Sequence, residues 1–102
     1  MKTLIIAALL TASMGVGAAK LYVDMTRVHR ISSFMVCMGI TPSHSDLFAG
    51  LARSLIVVAV HSGESDKILG REVNKRVQYI YETVSVGAIV MYCQKVISDA
   101  KI

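Results

Sequence analysis

Apolar residues recur along this chain at steps of three and four, the spacing that gives an α-helix one apolar face. In the first such stretch they fall at Leu21, Met25, Val28, Ile31 and Met35, while Asp24, Arg27, His29 and Arg30 occupy other faces. Gly39 then supplies a stop, and Pro42 forbids simple continuation. A second helix is predicted to begin within residues 41–46. Either Thr41 caps it with Pro42 at the first helical position, or Ser43 caps it with Asp46 three residues on. Leu47, Leu51, Leu55 and Val58 form its main stripe, with Phe48 alongside. Residues 55–60 are apolar all round and mostly β-branched, so a buried strand is an alternative reading there. Gly63 closes the segment.

The third helix is predicted to start near Ser65 and Asp66 and to be the longest. Val73, Val77, Ile80, Tyr81 and Val84 hold one stripe, and Val86, Val90, Cys93 and Ile97 continue one turned about the axis. Gly70 and Gly87 each weaken that helix by about 1 kcal/mol relative to Ala, and Gly87 marks a bend or a close helix crossing. The economical architecture is an all-α domain of three helices, with room for a further break near Gly87.

Ahead of these helices stand Lys2, a largely apolar run over residues 3–16, and then Gly17, Ala18 and Ala19. A positive start, an apolar stretch and small residues at the end make the pattern of a secretory signal peptide. Cleavage is expected after Ala19, which divides the chain into a signal segment, residues 1–19, and a helical domain, residues 20–102. The alternative is an uncleaved anchor at the inner membrane: the run is slightly short for about 20 spanning residues, although Leu21, Tyr22 and Val23 would extend it past Lys20. The Ala, Gly, Ser and Thr content of this leader also resembles the signal-anchor-release segments of some phage lysis proteins. Two later apolar stretches, residues 54–60 and 84–93, are too short to span.

Length and composition narrow the picture. One domain fits in 102 residues, and a chain this short has a marginal core that a covalent clip would help. With 54% hydrophobic and 18% charged residues, a disordered or low-complexity protein is excluded. Eleven Lys and Arg face seven Asp and Glu. Loss of Lys2 with the leader leaves ten against seven, too mild a bias for a nucleic-acid partner.

Cys37 and Cys93 are the only cysteines, and in an exported chain a pair points to a disulfide; two buried free thiols are the alternative. Met35 with Cys37 and Met91 with Cys93 repeat a Met-x-Cys pattern that soft Cu(I) chemistry would use. Residues two apart on a helix point to different sides, so core filling explains these methionines better. His29, His44 and His61 lack zinc-like spacing, and the scattered carboxylates form no acid–base pair. No metal, cofactor or catalytic residue is therefore predicted, and a non-enzymatic role is expected. The remaining candidate is a basic helix face: Arg71 and Lys75 one turn apart, Arg76 on the adjoining flank, and Tyr79 beside them. Such a face grips an acidic partner, or is simply solvated and partly neutralised by Glu72 and Glu82.

A leader, a short helical domain and two widely spaced cysteines, the second within Tyr92, Cys93, Gln94 and Lys95, resemble the layout of small periplasmic inhibitor or immunity proteins. The spackle-type lysozyme inhibitors of T-even-like phages are one such group. The resemblance implies a periplasmic protein that inhibits or shields a protein partner, such as a lysozyme-type hydrolase. The basic balance of this chain departs from what a basic lysozyme would favour. The alternative is a membrane-tethered regulator, such as an antiholin or superinfection-exclusion protein, whose leader stays in place. Mass spectrometry of the chain recovered from the periplasm should give a new terminus at Lys20. Recovery of the full-length form alone, in the membrane fraction, would overturn cleavage.

Overall fold

The computed structural model describes residues 22–101; the expected signal segment and Leu21 lie outside the described residues. Four α-helices follow one another: α1 (Met25–Ile40), α2 (Ser45–His61), α3 (Asp66–Thr83) and α4 (Val86–Ala100). A single 3-10 turn, Pro42–His44, leads into α2. The all-α class holds, but the expected third helix is two helices.

The break falls at Val84 and Ser85, two residues before Gly87. Both are extended (Val84 φ −98°, ψ 134°; Ser85 φ −66°, ψ 147°), and the Ser85 hydroxyl accepts the Ala88 N–H at 3.2 Å. Thr83, Val84 and Val86 are β-branched and Ser85 bonds backbone better at a cap than inside a helix, so this is where a continuous helix is weakest. Gly87 itself is not a close crossing: a Cβ added there would meet nothing within 4 Å.

Residues 55–60 are helical, and the alternative strand is overturned by how α2 ends. Gly63 takes a left-handed φ of 88°, which L side chains rarely adopt. Its N–H donates to the Val60 carbonyl at 3.0 Å, and that of Glu64 donates to the Ala59 carbonyl at 3.1 Å. These two bonds form a Schellman closure, which satisfies carbonyls that a helix end otherwise leaves unpaired. Three of the four helices open on a side chain that accepts N–H bonds, α2 being the exception. Asp24 accepts from Thr26 and Arg27 ahead of α1, and Ser65 accepts from Ile68 ahead of α3. Thr41 does not cap α2; its hydroxyl donates back to the Cys37 carbonyl at 2.8 Å.

α1 is the hub, touched by each of the other three helices. Its buried residues, Val28, Ile31, Ser32, Phe34, Val36 and Cys37, therefore spread beyond one stripe, while Met25 and Met35 of the expected stripe are exposed. α2 buries Phe48, Ala52 and Ala59, a line turned from the expected one; Leu47, Leu51 and Leu55 are half-buried and Val58 is exposed. α3 presents Leu69, Val73 and Ile80 inward, leaving Tyr81 and Val84 exposed. α4 presents Ile89, Cys93 and Ile97, with Val86 exposed.

Three contacts set the direction of α3 along α1. Arg27 pairs with Glu64 just ahead of α3, the Ser32 hydroxyl lies 3.4 Å from the Val73 carbonyl, and a Cβ on Gly39 would meet the Tyr81 hydroxyl at 3.6 Å. Rising numbers on both helices make α1 and α3 parallel, and α2 is the return leg between them. Ser32 is fully buried yet satisfied, because its hydroxyl donates to the Val28 carbonyl of its own helix at 2.6 Å. Its small size lets the two backbones approach.

Cys37 and Cys93 form the expected disulfide, with 5.6 Å between their Cα atoms and 56 residues of sequence separation. Both are fully buried. Closing a loop of that length is worth about 4 kcal/mol in the chain-entropy model. α4 packs chiefly on α1, so the bond is also what holds the last helix. A Cys37→Ala/Cys93→Ala variant is expected to keep α1, α2 and α3 helical while α4 loses amide-exchange protection. Uniform protection across all four helices would refute that dependence. The Arg27–Glu64 pair, with side chains 18% and 5% exposed, generates a second prediction. Arg27→Ala strands a buried carboxylate and should cost about 3 kcal/mol in urea denaturation. Arg27→Ala combined with Glu64→Leu should recover most of that loss.

Candidate functional site

The basic face predicted on α3 divides in two. Arg71 and Lys75 point to solvent, and the Lys75 ammonium lies 3.3 Å from the Glu72 carboxylate, which neutralises part of the charge there. Exposed pairs of this kind contribute little to stability. Arg76, one position round the helix, turns toward α4 and is partly buried. Its guanidinium carbon lies 4.6 Å from the centre of the Tyr79 ring, a cation–π contact that fixes the long side chain. The Arg76 Nε–H is screened from solvent and has no acceptor among the described residues.

Arg76 lines a cleft of about 220 Å³ between α3 and α4. α1 forms the floor through Ser33, Val36 and Cys37, Ile80 and Val84 come from the end of α3 and the break, and Ala88, Ile89 and Tyr92 come from α4. The break at Val84 and Ser85 creates this space. A continuous helix would carry the chain past α1, whereas the capped restart brings α4 back to Cys37. The cleft and the Tyr92 side of α4 could not be read from the sequence, because both depend on where that break falls. The signals available were Gly87, which marked a break nearby, and Ser85 as a cap within a β-branched run.

Large apolar and aromatic side chains also stand exposed on several faces of α3 and α4. Tyr79 is 46% exposed, Tyr81 56%, Val86 67% and Met91 72%. Tyr, Met and Arg are the side chains enriched at protein interfaces, where the rings and thioether supply area and the guanidinium supplies directed hydrogen bonds. A second apolar exposure lies on α2, at Ile56, Val57, Val58 and Val60. Together with the turn before it, α2 is long and apolar enough to cross a membrane by length and composition, over Pro42–His61.

The two Met-x-Cys pairs do not assemble a soft-metal site. Both sulfurs of Cys37 and Cys93 are spent in the disulfide, and a thiolate ligand is not available from either. His44 lies 3.2 Å from the Ser43 hydroxyl through its Nδ1, at the turn before α2, whereas His29 and His61 are exposed on α1 and α2. Compared with known protein families, with curated proteins and with solved structures, the chain matches none.

Proposed function

We propose that this protein is an exported, non-enzymatic binding protein that inhibits or shields a partner protein in the periplasm. The observation that carries the reading is the α3–α4 cleft, where an Arg76 guanidinium is held on the Tyr79 ring beside aliphatic side chains. The fully buried disulfide supports an oxidising compartment, where such bonds persist. The layout of leader, short helical domain and two widely spaced cysteines, which resembles that of spackle-type inhibitors, makes a lysozyme-type hydrolase the first partner to test. A membrane-tethered regulator is the second reading. It is favoured by the exposed apolar residues of α2 and by an amino-terminal run that can anchor.

The test places a photo-crosslinking amino acid at Tyr79 or, separately, at Val57, in cells expressing the full chain. A discrete protein adduct at Tyr79, absent at Val57, is the expected outcome. Arg71→Glu combined with Lys75→Glu should weaken formation of that adduct and reduce its salt sensitivity, with an unchanged circular dichroism spectrum. Peptidoglycan clearing by a lysozyme should slow in the presence of the purified protein if that hydrolase is the partner. Lipid adducts at Val57 with none to protein at Tyr79 would overturn the periplasmic reading in favour of the tethered one.

A further inference from the structure

We infer that the α3–α4 cleft is a carboxylate-reading pocket, which receives a single acidic side chain flanked by aliphatic ones from a protein partner. The inference rests on the protein-binding reading above and deepens it by naming the chemistry the partner presents.

Three features converge on one occupant. The first is the orphaned donor. The Arg76 Nε–H is shielded from bulk water without an acceptor, a state that a charged group tolerates only at a cost. A carboxylate in the cleft that draws the side chain slightly outward would take Nε–H and one Nη–H together, the bidentate geometry in which Arg exceeds Lys. The second feature is preorganisation. The Tyr79 ring holds the guanidinium, so little rotamer entropy remains to be lost on binding. The third is the lining of the cleft. Val36, Ile80, Val84 and Ile89 give it an aliphatic lining, to which Ser33 and Tyr92 add polar groups. At about 220 Å³ the space suits a side chain or two rather than a cofactor.

Charge favours the same occupant. Of the two partly buried cations among the described residues, Arg27 is paired with Glu64 and Arg76 has no ion-pair partner. The nearest carboxylate along α3, Glu72, is engaged with Lys75. An acidic residue carried by the partner would therefore meet a cation that is partly buried, positioned and unneutralised, the combination in which a charge pair contributes to affinity rather than only to encounter rate.

The probe is a pair of capped tripeptides, Leu-Glu-Leu and Leu-Gln-Leu, titrated into the disulfide-bonded, isotopically labelled protein and followed by NMR. The Arg76 Nε–H signal and the amides of Ala88 and Ile89 report on the cleft. Leu-Glu-Leu is expected to shift all three, and Leu-Gln-Leu to bind about tenfold more weakly, since it loses the charge-assisted pair. Arg76→Met should abolish the preference for the acidic peptide, and Arg71→Met should preserve it; both spectra must retain the dispersion of the parent. Equal binding of the two peptides, or an unchanged preference in Arg76→Met, would overturn the pocket. So would shifts produced by vesicles of anionic phospholipid and not by the acidic peptide. The crosslinking result at Tyr79 separates the two levels: a protein adduct there combined with no peptide preference removes the carboxylate pocket alone, while absence of the adduct removes the protein-binding reading itself.

Discussion

Burial of α1 on three sides is the constraint from which the rest of the molecule follows. A helix ordinarily hides one stripe and leaves its remaining surface to water. Here Val28, Ile31, Phe34, Val36 and Cys37 point in more than one direction, and each direction needs its own covering helix. The chain supplies α2 antiparallel, then α3 parallel to α1, then α4 across the remaining side. A core this thin leaves each outer helix with one contact line. Covalent and ionic ties then matter more than they would in a larger domain.

Two such ties sit at opposite ends of α1. Near its start, the Schellman closure of α2 delivers Glu64 to Arg27, joining α1 to the α2–α3 loop through a pair almost removed from water. Pairs of this kind fix geometry more reliably than they add stability, because desolvation offsets much of the attraction. Near the other end, Cys37 is bonded to Cys93, which fastens the helix with the fewest neighbours. The two ties leave the middle of α1 to be covered by close packing, with Ser32 letting α3 approach.

The candidate site is a by-product of that economy. Since α3 and α4 both lean on α1 and touch each other little, a cleft opens between them over the disulfide. Arg76 is drawn into it and away from Arg71 and Lys75, which explains why a face that looks uniformly basic along α3 behaves as two surfaces. One is solvated and partly neutralised by Glu72. The other is a held cation with apolar surroundings. Net positive charge alone would not distinguish them.

The helical class, the caps Gly63 and Ser65 of the turn between α2 and α3, and the pairing of the only two cysteines were legible in the sequence, because each depends on local chemistry or on counting. Helix spacing survives any tertiary arrangement, a glycine at a positive φ is a local requirement, and two cysteines in an oxidising compartment have one way to pair. What only the tertiary structure decided was which faces are inside. The expected stripes on α1 and α2 assumed one buried face per helix, so Met25, Met35 and Val58 were placed in the core and Phe34, Ala52 and Ala59 were not. A further break was expected only loosely, near Gly87, and its place at Val84 and Ser85 was undetermined, since the apolar pattern runs on through it. Docking of α4 against Cys37 favours the restart, and with it the cleft that sets Arg76 apart.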